Sequence, residues 1–276
     1  MNAHPYFQFR KSQSRKTPVL VSVPHAGLAI PELRKELMML PETVFFRDVD
    51  FEIHRMWDEV CAKRDISFIK CHVHRYAIDL NRRADQKNLI WTSSTRQEPL
   101  APQGSSFETP ELATIQKLIQ QIWNPYYLAI QNELNEIKNQ FGFAILIDGH
   151  SMPSRGTAFH ADPGGRRADV VPGDNKGQSC APILLQAVLD SAKSLGLSAV
   201  PNQPYSGGNI TQHFGRPQEG FHALQIEINR SIYIESEEAE TKQIKDEGLI
   251  RLKNLADSLL EHLRWSPGAL PNSLDH

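Results

Sequence analysis

Apolar and polar residues fall in blocks along the chain, and each block predicts an element. Residues 18–23, PVLVSV, form an apolar run that predicts a short buried strand, with PHAG directly after it. Over 50–63, Phe51, Ile53, Met56, Trp57 and Val60 recur at helical spacing. SFIKC (67–71) and YAIDL (76–80) predict strands. The polar stretch 83–109 predicts a long loop. Residues 110–138 predict a helix with Thr109 as cap, Pro110 near its start and Pro125 as a break or kink. A strand is expected over 143–148, then a Gly- and Pro-rich loop over 149–178 and a helix over 181–195. LSAV (197–200) predicts a short strand, 201–220 a Gly-rich loop, 223–228 a strand and 236–264 a last helix.

Strands that alternate with helices, several of them apolar throughout, predict an α/β fold. Its sheet is mixed and mostly parallel, with helices on both faces. No linker interrupts the pattern, so 1–276 is expected to be a single domain. In such sheets ligands bind beyond the carboxyl ends of the strands. His25, His150 and Glu227 fall at those ends.

Composition narrows the class. The chain has 276 residues, 40% hydrophobic and 22% charged, enough for a sizeable core in a soluble globular protein. The net charge of -2 argues against a general nucleic-acid binder. Cys61, Cys71 and Cys180 make an odd count with no CxxC pair, which suits a reducing cytoplasm. The opening segment MNAHPYFQFRKSQSRK has no apolar core of signal-peptide length. No stretch approaches the roughly 20 apolar residues of a membrane span. A cytoplasmic, soluble protein is expected, with neither membrane nor nucleic acid as partner.

The candidate chemistry lies in the blocks themselves. Two histidines on rigid backbone, His25 and His150, are candidates to share one metal ion, and zinc would need a third His, Asp or Glu ligand. FRDVDFEIHRMWDEV offers Asp48, Asp50, Glu52 and His54. Glu227, between Ile226 and Ile228, is a carboxylate in a buried strand, and desolvation suits it to general-base work. Asn81 and Arg82 close the YAIDL segment, and arginine grips carboxylates through a bidentate fork. Arg155 and Arg230 follow the metal and base blocks. Asp148 and Gly149 lead into His150 as orienting acceptor and turn former.

Taken in order, VSVPHAG, DVDFEIHRMWD, RYAIDLNRRAD, LIDGHSMPSRG, PGDNKGQSCAP, NQPYSGGNITQHFG and LQIEINRSIYI resemble the successive signature blocks of the N-formylglutamate amidohydrolase family. They cover residues 18–235. The resemblance implies a fold akin to zinc carboxypeptidases. It also implies hydrolysis of N-formyl-L-glutamate to L-glutamate and formate, a step of histidine degradation. It implies a divalent ion, zinc first, on His25, Asp50 and His150, with Asp48 the alternative third ligand. Glu227 is then the general base, and Asn81, Arg82, Arg155 and Arg230 meet the substrate. His54 stands where the family more often has Asp, which would alter support of the metal ligands. The residues alone also fit a hydrolase of another N-acyl amino acid, or a non-catalytic binder of acidic amino acids.

Overall fold

The computed structural model describes residues 4–92, 110–158, 160–237 and 242–263. Six strands form one sheet: β1 (Phe7–Arg10), β2 (Val19–Val23), β3 (Ser67–Cys71), β4 (Ala144–Met152), β5 (Val170–Gly173) and β6 (Phe221–Asn229). Their order is β1-β3-β2-β4-β6-β5. The four inner strands run parallel, and the two edge strands run antiparallel to their neighbours. The helices are α1 (Glu42–Phe45), α2 (His54–Arg64), α3 (Leu112–Leu118), α4 (Asn124–Phe141), α5 (Pro182–Ser194), α6 (Asn209–Phe214) and α7 (Asp246–His262). Helices α2, α5 and α7 pack together on one face, and α4 and α6 cover the other. Every residue of β2, β4 and β6 is buried, as parallel strands sandwiched between helices must be. No helix among the described residues is long and apolar enough to cross a membrane.

The structure departs from the sequence pattern at several places, each for a physical reason. YAIDL is buried but is not a strand: its carbonyls face a buried arginine instead of a neighbouring strand. Arg34 Nη1 donates to the carbonyls of Tyr76 and Ala77 at 3.0 and 3.2 Å, and Nη2 to that of Trp91 at 3.2 Å. The helix expected from 50 begins at His54, because residues before it turn, with Glu52 at a φ of 57°. The Asp50 amide there donates to the His25 carbonyl at 3.0 Å, tying this turn to the end of β2.

Pro125 neither breaks nor ends its helix. It sits in the first turn of α4, and the stretch before it, Ile119–Trp123, widens to a π-turn that joins α3 to α4. The proposed cap Thr109 lies outside the described residues, and the last helix starts at Asp246 rather than 236. LSAV contributes only a single bridge, Ala199 to Val170. The edge strands β1 and β5 were hidden in a polar segment and in an expected loop. Pro172 is tolerated in β5 because an edge strand needs fewer donors.

Strand β4 decides where the site lies. It runs to Met152, past the expected end at 148, and pairs with β6 all the way, His150 opposite Glu227 and Asp148 opposite Gln225. Side chains alternate between faces with a period of two, so these four residues stand on one face, toward α4 and α6. Gly149 points to the other face.

Candidate active site

His25 follows β2 and is 1% exposed. Its Nε2 is 2.8 Å from Asp79 Oδ1, while its Nδ1 is buried without a hydrogen-bond partner. His150 is arranged in the same way. Its Nε2 is 2.9 Å from Asp148 Oδ2, and its Nδ1 is 3.1 Å from Asp50 Oδ2. Asp50 Oδ2 also lies 3.8 Å from His25 Nδ1. One potential ligand atom from each of His25, Asp50 and His150 lies within 4.8 Å of the others. Two imidazole nitrogens and a carboxylate oxygen form a donor set that zinc accepts. A carboxylate behind each histidine, here Asp79 and Asp148, is the usual way such a ligand is oriented. The orphaned Nδ1 of His25 is the observation that fits an ion best. A buried nitrogen with no partner is costly unless something binds it.

The electrostatics of the cluster follow from burial and its charges. Burial brings the His25 pKa down to about 4, and the positive charge of Arg75 acts in the same direction, so its ring is neutral near pH 7. Burial works against a charged His150 too, but Asp148 and Asp50 outweigh it and hold that ring above its ordinary range. Burial would raise Asp50; the hydrogen bond and charge of His150, with His25 and Arg230, keep it ionised instead. Glu227 goes the other way. Burial lifts it to about 7, with Asp50 acting in the same sense against the pull of His150, Arg75 and Arg230.

These groups line one cleft of about 470 Å³. Of the two acids the sequence left open as third ligand, Asp50 is in the cluster. Asp48 lines the cleft but is not in the cluster: its Oδ2 accepts from Arg47 at 3.1 Å and from the Tyr76 hydroxyl. Asn81, Arg82, Glu227 and Arg230 line the cleft as well. Arg230, however, spends its donors on the protein. Its Nε donates to Ser151 Oγ at 3.1 Å, Nη1 to the Arg47 carbonyl at 2.7 Å and Nη2 to Asp50 Oδ1 at 3.3 Å. It therefore holds Asp50 by the oxygen that faces away from the histidines. Among the described residues the Arg82 side chain makes one hydrogen bond, from Nη1 to the Asn81 carbonyl at 3.0 Å, and no ion pair. Arg155 is not brought to the cleft; it is exposed and donates to the Gly164 carbonyl at 3.0 Å. Nor does His54 support the ligands: it stands outside the cleft, near Lys70, Asp58 and His72.

Gly149 does not form the turn the sequence predicts, because it lies within β4. It is glycine because the indole of Trp57 lies against its backbone: a Cβ there would fall 2.5 Å from Trp57 Nε1. Trp57 is fully buried in α2 and cannot yield. Gly149→Ala is expected to cost about 1–3 kcal/mol by overpacking, read as a lower melting temperature. Trp57→Phe in the same chain should recover part of the loss. An unchanged melting temperature in Gly149→Ala would show that the indole does not set this position.

Four further residues of the site escaped the sequence reading. Asp79 and Gln225 carried a usable signal, each a polar residue two positions before a candidate, Asn81 and Glu227, in an otherwise apolar run. Arg75 and Ser151 carried none. Arg75 donates to Asp79 Oδ2 at 2.9 Å and to the Asp48 carbonyl at 3.0 Å, and lies over the Trp91 ring. Ser151 donates to Asp50 Oδ1 at 3.1 Å.

A mixed sheet whose parallel inner strands help gather a buried His–Asp–His cluster and a desolvated glutamate in one arginine-lined cleft has the build of a metal-dependent hydrolase. The profile of the N-formylglutamate amidohydrolase family matches residues 17–234, and the chain belongs to that family. It is 32% identical over 260 residues to an N-formylglutamate deformylase of Pseudomonas putida, covering 89% of this chain and 93% of that protein. It is also 32% identical over 233 residues to the deformylase of Pseudomonas aeruginosa, covering 80% and 84%. A solved N-formylglutamate amidohydrolase of Ralstonia eutropha JMP134 superposes with a TM-score of 0.76 at 23% identity, over 94% of this chain and 96% of that one. A gene product of Agrobacterium tumefaciens shares the fold, with a TM-score of 0.67 at 17% identity over 94% and 93%.

Proposed function

We propose that this chain hydrolyses N-formyl-L-glutamate to L-glutamate and formate, with a divalent ion, zinc first, held by His25, Asp50 and His150. The observation that carries the reading is the orphaned Nδ1 of His25 facing Asp50 and His150 in a cleft shared with Glu227. It occurs in a chain similar to two N-formylglutamate deformylases. An ion bound there would acidify water and polarise the formyl carbonyl.

The protein's own residues do the rest. Glu227, near neutrality by burial, takes a proton from the water that attacks the formyl carbon, then delivers it to the amide nitrogen as the C–N bond breaks. Formate and glutamate leave. The charge of Arg75, felt at both His25 and Glu227 in the same cleft, favours negative charge that develops on the substrate. Of the cleft arginines, Arg82 forms no ion pair among the described residues, so it is the proposed anchor for a substrate carboxylate. Arg230 is assigned to Asp50 instead, and Arg155 has no part.

The test is release of formate and glutamate from N-formyl-L-glutamate by zinc-loaded protein, compared with N-acetylglutamate and N-formylglutamine. Turnover of an alternative acyl amino acid with none of N-formylglutamate would move the substrate. No turnover of any of them would end the reading. Arg82→Ala should raise KM about 10-fold to 100-fold, the worth of a charged hydrogen bond, without changing metal content. Arg82→Lys keeps the charge, loses the fork, and should fall between the two. Wild-type KM in both variants would place the carboxylate elsewhere.

A further inference from the structure

Gln225 and Glu227 are two residues apart in β6 and project from the same face. Gln225 is 3% exposed, and both ends of its amide are engaged. Oε1 accepts from the Gly208 amide at 2.9 Å and from Asn81 Nδ2 at 3.3 Å. Those donors fix the amide's orientation, since reversing it would set N–H against N–H. Nε2 therefore donates to Glu227 Oε1 at 3.0 Å. The far side of the arrangement is equally tight. Asn81 Oδ1 accepts from the Ile210 amide at 2.9 Å, and a Cβ on Gly208 would fall 2.2 Å from Asn81 Nδ2.

We propose that Gln225 is the positioning residue of Glu227, fixing one carboxylate oxygen and coupling it to the Asn81–Gly208 wall of the cleft. The second oxygen accepts no hydrogen bond from the described residues and is left for the water. The proposal rests on the reading of Glu227 as the base. A glutamate in a buried strand has three rotatable torsions to settle, and a donor held from behind by two others fixes the last of them. The arrangement also joins base and substrate wall in one network, so displacing Asn81 would displace Glu227.

Gln225→Met fills a similar volume and removes all three bonds. In zinc-loaded enzyme it should lower kcat about 10-fold to 100-fold, the effect of a misplaced catalytic group, with metal content unchanged. The deciding measurement is the same substitution in a Glu227→Gln background. A residue that acts through Glu227 has nothing left to position there, so the double variant should be no slower than Glu227→Gln alone. A kcat for Gln225→Met within about twofold of wild type overturns the proposal. So does a drop of the same size in both backgrounds, which marks a purely structural role. If Gln225→Met does not fold, Gln225→Asn carries the same cycle, because its shorter side chain withdraws the N–H from Glu227. Should Glu227→Gln alone turn over like wild type, the base reading fails first and the positioning role fails with it. A slow Glu227→Gln with no coupling to position 225 sinks only the latter.

Discussion

Glu227→Gln is expected to lower turnover about 10²-fold to 10⁴-fold, the usual loss when a general base is removed, while the protein keeps its metal. The substitution is clean for a structural reason. Gln225 Nε2 donates to Glu227 Oε1, and a glutamine carbonyl at position 227 accepts that bond as well as a carboxylate does. Shape and the hydrogen bond survive, and only the proton acceptor goes. The native group suits the task because burial has lifted it to about 7, where it is a far stronger base than an exposed carboxylate. Metal content by elemental analysis and kcat by formate release decide the matter together. Turnover within about tenfold of wild type would put the base on another group. A variant that loses its metal, beside an Asp50→Asn that keeps it, would mean that the roles of the two acids are exchanged.

Much of this was legible in the sequence, and what was not has a common cause. SFIKC was read residue for residue, and 18–23 within one residue of β2, because an inner parallel strand advertises itself as a local apolar run. YAIDL has the same local signature and forms no strand; burial and pairing are separate facts, and Arg34 supplies the donors from 42 and 43 residues away. The site divides along the same line. His25 and His150 stood out just after apolar runs and Glu227 as an acid within one, and the fold gathers them. What orders them did not stand out. His25 meets Asp79 across 54 residues and Asp50 meets Arg230 across 180, distances over which no motif reports a contact. That is why Arg230 looked free to hold substrate, and why Asp48 and Asp50 were indistinguishable before the Tyr76 hydroxyl and Arg47 were seen to engage one and not the other.

Removing metal should abolish hydrolysis altogether, and added zinc should restore it. Each proposed ligand side chain is held by protein partners. Asp79 holds His25 from behind, Asp148 holds His150, and Arg230 with Ser151 holds Asp50 by its outer oxygen. A cluster so arranged loses little entropy on binding, so the ion should also stabilise the fold, by about 2.7 kcal/mol at a hundredfold excess over Kd. The melting temperature of chelated protein is therefore expected to rise on adding zinc. This readout is independent of turnover. Ligand variants grade the effect. His25→Ala and His150→Ala should show neither the rise nor the activity. Asp79→Asn leaves the ligands in place but weakens the orientation of His25, and should cost about 10-fold to 100-fold in metal affinity. Rigorously metal-free protein that still hydrolyses N-formylglutamate at the full rate would refute the metal reading. An Asp50→Asn variant that binds zinc as tightly as wild type would remove Asp50 from the ligand set while leaving the two histidines in place.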